Sequence, residues 1–337
     1  MDGRTRILTL YLSYDIAIIT NQGSVAVRPN PKTPKADQRS LATFKSKATS
    51  VLSQFDFPIN LLAATARDIY RKPRTGMWKE LLEEFDLEEG EGPDLSKSMF
   101  VGDAGGRAAN GNRKADHACS DRDLATNLGI QFHTPEEFFL KDDPQPFTRY
   151  FEPKSFLSET ATSTDTTPIV FEQKNKLDIV IMCGSPGCGK STFYWTKLKP
   201  LGYERVNQDI LKSREKCLKV ASELLKHRQS VAVDNTNADT ETRSIWVKLA
   251  NEHNVPIRCV WFTAPVKLCE HNDTVRAIAG EGFNPEKRTI LPHSAFHSFK
   301  ARFKEPRANE GFLDVVRVNF RYQGDEDGKK LWSQYWI

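Results

Sequence analysis

Gly184-Ser185-Pro186-Gly187-Cys188-Gly189-Lys190-Ser191 satisfies GxxxxGK[ST] at every fixed position and directly follows the apolar run LDIVIMC. Glycines at this spacing let successive backbone N–H groups curl around phosphate oxygens, and the helix that follows turns its positive end toward them. Lys190 can reach the outer phosphates of a nucleotide, the Ser191 hydroxyl can hold Mg²⁺, and Thr192 completes the cradle. A chance glycine-rich turn is the bland alternative, and the strand–loop–helix setting argues against it. Asn175-Lys176-Leu177-Asp178 spells a guanine motif, NKxD, but it precedes the loop and runs into the loop's own strand, so it reads as coincidence.

Other residues must say what the cradle serves. Asp209 follows the run YERVN, at the carboxyl edge of a strand, where a carboxylate can take the proton of an attacking hydroxyl. The same position fits a residue capping a helix that begins near 210, and spacing alone does not choose. Asp234-Asn235-Thr236-Asn237 closes the next apolar run, and Arg243 lies one to two turns into the helix after it. On a later helix stand His271-Asn272 and Arg276, whose guanidinium can lean over phosphates as a transition-state clamp. Taken singly, each arginine is more often a solvated surface residue.

The elements that position these residues are strands alternating with helices. LDIVIMC (177–183), YERVN (203–207), SVAVDNT (230–236) and PIRCVWFTA (256–264) alternate with helical patterns, the clearest of them over 210–227. Earlier in the chain DIAIIT (15–20), NLLAAT (60–65) and KSMFVGD (97–103) are short apolar runs ending in small or polar residues, with MWKELLEEF (77–85) as a helix among them. This order implies parallel sheets covered on both faces, with ligands bound beyond the carboxyl ends of the strands.

The 337 residues suggest two domains. Residues 155–168, SFLSETATSTDTTP, bury too little apolar surface to offset their ordering entropy and read as a linker. The net charge of +4 divides unequally, −2 before residue 177 and +6 after it, so a polyanion would be steered to the second half. Six cysteines without a CxxC pair, in a chain too large to need disulfides, read as reduced thiols. Arg4 and Arg6 ahead of ILTLYLSYDIAII imitate a signal peptide, but Asp15 splits the run and no clean cleavage site follows. It is also shorter than the ~18 residues of a membrane span. The expectation is a helix end and then a buried strand.

GSPGCGKST, VNQD, DNTN, the HN…R helix and FKARFKEP…EGF occur in this order over 177–322. They resemble the kinase domain of the polynucleotide kinase 3′-phosphatase family, which repairs DNA strand ends. The resemblance implies ATP and Mg²⁺ as cofactors, residues 184–192 as the nucleotide cradle, and Asp209 as the base that activates a 5′-hydroxyl. It implies Lys190, Ser191 and Arg276 around the transferring phosphoryl, and Lys212, Asp234, Asn237 and Arg243 toward the substrate. Where the family often has a second basic residue in the HN helix, this chain has Thr274.

Thr20-Asn21-Gln22, Lys72 in RKPRTGMW, Asp103 in FVGDAGGR, DHACSDRDLATNLGI and TPEEFF resemble the phosphatase domain of the same family, of the haloacid dehalogenase class. The resemblance implies that Thr20 binds phosphate, Lys72 balances charge, Asp103 holds Mg²⁺, and Asp116 and Asp121 assist. Read singly, Thr20 caps a strand, Lys72 is a surface charge and Asp103 starts a turn. The class needs a DxDGT motif, whose first Asp attacks phosphorus, and no such motif precedes Thr20 here. Truncation and genuine loss compete as explanations. A missing central strand would expose neighbouring edges and leave a void, which favours truncation.

The fold expected is α/β in two domains: an N-terminally incomplete, Rossmannoid haloacid-dehalogenase-like 3′-phosphatase over 1–145, a Ser/Thr/Pro-rich linker over 146–176, and a P-loop 5′-hydroxyl kinase with a parallel sheet over 177–337. The expected partner is DNA with 5′-hydroxyl and 3′-phosphate ends, met in the nucleus by a monomer without a membrane segment or a phosphopeptide-binding domain. A P-loop kinase of a small metabolite and a non-catalytic scaffold binding nucleotide and DNA ends are the alternatives. A broad basic groove beside Asp209 would argue against the first of these. The C-terminal LWSQYWI is expected to pack on the kinase core.

Overall fold

Runs that are apolar throughout form strands buried on both faces, whereas half-covered strands keep polar positions. Both kinds occur in the computed structural model, which describes residues 13–25, 33–87, 92–111, 113–157 and 171–337. The expected helix end before Asp15 and residues 158–170 of the expected linker lie outside the described residues. The chain divides into two units, one ending at Glu152 and taking in Gln334–Ile337, the other running Pro153–Ser333.

In the first unit β1 (Ala17–Asn21) pairs in parallel with β2 (Asn60–Ala64), and α1 (Pro34–Leu52) lies between them in sequence. After α2 (Gly76–Glu84), β3 (Met99–Val101) pairs in parallel with β4 (Gln131–His133) across α3 (Ser120–Leu128). Among the described residues no further strand joins the two pairs. The residues of β1 are accordingly half-buried rather than buried as the sequence suggests. The chain's last residues complete this unit. The Asn127 amide brackets the Tyr335 backbone, donating to its carbonyl at 2.8 Å and accepting its N–H at 2.9 Å. Arg74 Nε donates to the Trp336 carbonyl at 3.0 Å, and the Tyr335 hydroxyl donates to Glu152 at 2.5 Å.

The second unit is built on one five-stranded, all-parallel sheet. Its strands are β5 (Ile179–Cys183), β6 (Glu204–Val206), β7 (Val231–Val233), β8 (Ile257–Phe262) and β9 (Val315–Val318), in the order β6-β7-β5-β8-β9. Every residue of β5 is fully buried. Ile179, Ile181 and Cys183 face one layer with Cys217, Ala221, Trp246 and Ala250, while Val180 and Met182 face the other with Phe193, Leu198, Cys269 and Phe296. The helices are α4 (Lys190–Phe193), α5 (Gln208–Leu211), α6 (Arg214–Lys226), α7 (Thr240–Glu252), α8 (Val266–Ile278), α9 (His293–Arg302) and α10 (Glu326–Trp332). The helix expected over 210–227 is two helices. Lys212 adopts φ +71°, and the Ser213 hydroxyl caps α6 by accepting the Lys216 N–H at 3.2 Å. Of the tail, only its start stays here: Trp332 is buried, and its indole donates to Asn272 Oδ1 at 2.8 Å.

The connections leave β5 toward β6 and β7 on one side and reach β8 and β9 on the other. A crevice opens beyond the carboxyl end of β5 at such a reversal of strand order, and ligands bind there in open α/β sheets.

Candidate active site

The phosphate loop fills that crevice. Gly187 adopts φ +75°, and a Cβ there would stand 2.2 Å from the Cys269 carbonyl, so only glycine lets the loop pass so close to α8. Asn272 fixes the loop from α8, its amide donating to the Gly187 carbonyl at 3.2 Å. Lys190 Nζ donates to the carbonyls of Gly184 and Ser185 at 3.0 and 2.7 Å, which holds the ammonium at the loop's mouth.

Ser191 and the end of β7 meet one turn deeper. Ser191 Oγ donates to Asp234 Oδ2 at 2.9 Å, and Asp234 is 3% exposed. Sequence reading turned Asp234 toward the substrate; the fold sets it against the serine of the phosphate loop. Arg205, on the edge strand β6, joins them. Its Nε donates to Asp234 Oδ2 at 2.8 Å, one terminal nitrogen donates to Ser191 Oγ at 3.0 Å, and the other donates to Glu286 Oε1 at 2.8 Å. Glu286 is held at about 2, against the upward push of burial, by hydrogen bonds from Arg205, Trp195 and Arg288. Sequence reading singled out neither Arg205 nor Glu286. The only available signal was an arginine within a strand that leads straight to VNQD.

The carboxyl end of β6 settles how Asp209 is held. Asn207 caps α5, its Oδ1 accepting the N–H groups of Asp209 and Ile210 at 2.8 and 3.2 Å, and its amide donates to the Asp234 carbonyl at 2.7 Å. The capping role is therefore filled by Asn207. The Asp209 side chain is 72% exposed and meets Arg288 at 2.7 Å. Lys212 Nζ donates to the Asp209 carbonyl at 2.6 Å. Arg276 pairs with Asp273, whose carboxyl is raised by burial and whose other oxygen accepts the Leu291 N–H at 2.8 Å. Thr274 is buried with its hydroxyl on the Glu270 carbonyl, so that position of α8 faces the interior. The guanidinium paired with Asp209 belongs to Arg288, in the segment between α8 and α9.

Two expected substrate residues are buried in this structure. Arg243 is 0% exposed. It grips Glu310 through two bonds of 2.7 Å and donates to the carbonyls of Asn237, Ala238 and Lys304. It is framework because α7 turns this side of the helix toward the sheet. Asn237 is 1% exposed and directs its amide to the Met182 carbonyl at 2.8 Å, bracing the strand beneath the phosphate loop. His271 is also interior: its Nε2 meets the Trp332 carbonyl at 2.9 Å, and burial pushes its imidazole down to about 4.

Lys190, Ser191, Asp209, Lys212 and Arg276 line one cleft of about 1030 Å³, joined by Arg214, Arg288, Arg302 and Arg321. Among the described residues no group of three or more His, Cys, Asp or Glu could hold a metal. A divalent ion here would rest on Ser191 and Asp234 together with phosphate oxygens. Both protein donors are hard oxygens suited to Mg²⁺, and a cationic guanidinium already stands on the same carboxylate oxygen.

In the first unit Thr20 is the last residue but one of β1, its hydroxyl accepting from Gln22 at 3.0 Å. Asn21 brackets the backbone of Lys72 with bonds of 2.9 and 3.1 Å, which aims the lysine across the strand ends. Lys72 Nζ meets the Ile19 carbonyl and Asp121 Oδ1, each at 2.8 Å. The surface-charge reading of Lys72 fails, since its side chain is 9% exposed. Asp121 also accepts the Ala104 N–H at 3.0 Å, and a Cβ on Gly102 would stand 2.4 Å from its carboxylate. Asp103 is exposed just past β3. Asp116 stands apart from this group, accepting from Gly105 and from buried Arg107, and it shapes the 103–107 loop.

The family model described as polynucleotide kinase 3 phosphatase matches residues 7–139, and one described as an AAA domain matches residues 179–306. A bifunctional polynucleotide phosphatase/kinase of Schizosaccharomyces pombe is 38% identical over 324 residues, spanning 96% of this chain and 72% of that protein. A putative bifunctional polynucleotide phosphatase/kinase of Acanthamoeba polyphaga mimivirus is 31% identical over 328 residues, spanning 92% of this chain and 76% of that protein. A crystal structure of a fungal RNA kinase, 19% identical, aligns with a TM-score of 0.32 over 46% of this chain and 80% of its own.

Proposed function

The chain belongs to the bifunctional polynucleotide phosphatase/kinase family, and from that premise we propose that its second unit transfers the γ-phosphoryl group of ATP to the 5′-hydroxyl of a DNA end. One observation carries the reading: the exposed carboxylate of Asp209 shares a single large cleft with Lys190 and Ser191 of the phosphate loop. Backbone N–H groups of residues 187–192 and the Lys190 ammonium hold the nucleotide phosphates. Arg276 supplies positive charge to the group in flight. Asp209 accepts the proton as the 5′-oxygen bonds to the γ-phosphorus and the bond to the ADP oxygen breaks, a contribution of ~10²–10⁴ in rate. Mg²⁺, held by Ser191 and Asp234, would neutralise phosphate charge.

Lys212, Arg214 and Arg302 on the cleft wall suit the backbone phosphates of a polymer. A cleft of about 1030 Å³ with so many cations favours a polynucleotide over a small metabolite. Thr20, Lys72 and Asp103 of the first unit are read as the binding side of a 3′-phosphate site, with Asp121 positioning Lys72. Work on DNA ends implies a nuclear location, and no helix among the described residues is long and apolar enough to cross a membrane.

The test is transfer of labelled phosphate from ATP to a 5′-hydroxyl oligonucleotide, with nucleotide binding measured alongside. Asp209→Asn should bind ATP and lose transfer; an active variant would remove Asp209 from the role of base. ATP binding without any transfer by the unaltered chain would favour the scaffold reading.

A further inference from the structure

Asp234 is a carboxylate with only 2% of its side chain exposed, and a buried charge of that kind needs a counter-charge at all times. In this structure the partner is Arg205, which donates to Asp234 and to the Ser191 hydroxyl, the two groups assigned above to Mg²⁺. The Arg205 side chain is itself 9% exposed and packs over Tyr194 and Trp195, with ring centroids 5.5 and 5.6 Å from the guanidinium carbon. Its remaining arm reaches Glu286, which also accepts from the Trp195 indole at 3.2 Å and pairs with Arg288. Arg288 in turn holds Asp209. One unbroken series of ion pairs therefore runs from the metal-binding oxygens to the base.

We propose that Arg205 is an internal counter-ion occupying the Mg²⁺ position of the nucleotide-free protein, and that Mg²⁺–nucleotide displaces it from Asp234 onto Glu286. This inference rests on the kinase reading only for the identity of the ligand. A guanidinium and a divalent ion cannot both sit on Asp234 Oδ2 and Ser191 Oγ, so the two compete. Metal without nucleotide must evict Arg205 unaided and binds weakly. Metal arriving with phosphates brings further oxygens and wins, and Glu286 leaves the released arginine with a carboxylate partner in its half-buried place. Arg205 is thus a positioning residue: it keeps Ser191 and Asp234 together and reserves the site for metal that comes with nucleotide.

The experiment is calorimetric titration of the full chain with MgCl₂ in the absence of nucleotide, comparing the unaltered protein with Arg205→Gln and Arg205→Lys. Loss of the competing charge should tighten Mg²⁺ binding at least tenfold in Arg205→Gln, with Arg205→Lys closer to the unaltered protein. Equal or weaker binding in Arg205→Gln overturns the proposal. Should Arg205→Gln not fold, tryptophan fluorescence of the unaltered protein serves. Mg²⁺–ADP should change the emission by an amount that is lost in Trp195→Phe, while ADP with EDTA should not. An identical change with metal-free ADP overturns the proposal. No ADP binding with or without metal would instead defeat the kinase reading, and the nucleotide-free titration stands apart from that outcome.

Discussion

Arg243 offers a sharp distinction between what its position suggests and where the fold puts it. Replacing it with Met keeps much of the apolar stem and removes the guanidinium. The structure then leaves the Glu310 carboxylate, 10% exposed, without its two 2.7 Å bonds, and takes one donor from each of three backbone carbonyls, of which Ala238 keeps the Lys304 N–H and Asn237 the Cys183 thiol. Deleting one partner of a buried ion pair costs about 3–5 kcal/mol. For a unit of this size each kcal/mol moves the melting point by ~2–4 °C, so a fall of ~6–20 °C is expected. Scanning calorimetry measures it, and the transition that shifts upward with Mg²⁺–ADP identifies the second unit. The double variant Arg243→Met/Glu310→Leu should regain part of the loss, because an apolar pair of similar volume tolerates burial better than a lone charge. A melting point lowered by less than ~2 °C, together with a raised KM for the oligonucleotide, would refute the framework assignment and restore a substrate role.

Acid should loosen the second unit through His271, whose folded pKa of about 4 lies below its ordinary 6.5. The unfolded chain takes up that proton more readily. Stability is therefore whole above pH ~6.5 and falls as pH drops toward ~4, by about 3 kcal/mol in all, and urea titrations of the unaltered protein and His271→Gln across that window should diverge. Asn127→Ala, which removes both bonds to the Tyr335 backbone, should lower the stability of the first unit by ~1–3 kcal/mol in chemical denaturation and leave ADP affinity unchanged.

The phosphate loop, the strands that carry it and the order of the motifs were legible in the sequence because each rests on local spacing. A GxxxxGK[ST] turn after an apolar run needs no distant partner to be recognised, and the continuous apolarity of IVIMC (179–183) already places it at the centre of a sheet. Asp209 was equally visible, but its two readings differed only in what its neighbours do. Asn207, two residues earlier, takes the cap and leaves the Asp209 carboxylate in the cleft. The direction of a side chain on a helix depends on which face meets the sheet, so Arg243 and Arg276, alike in sequence, separate into framework and cleft wall. Thr274 shows the same effect, since its position is turned to the core, while Arg288 reaches Asp209 from a segment with no motif. Arg205, Glu286 and the tail residue Tyr335 gain their partners across 29, 81 and 208 positions of chain. Sequence alone determined which phosphate chemistry the chain carries; only tertiary packing decided which charges reach it, because ion pairs form between residues that the fold, and not the spacing, brings together.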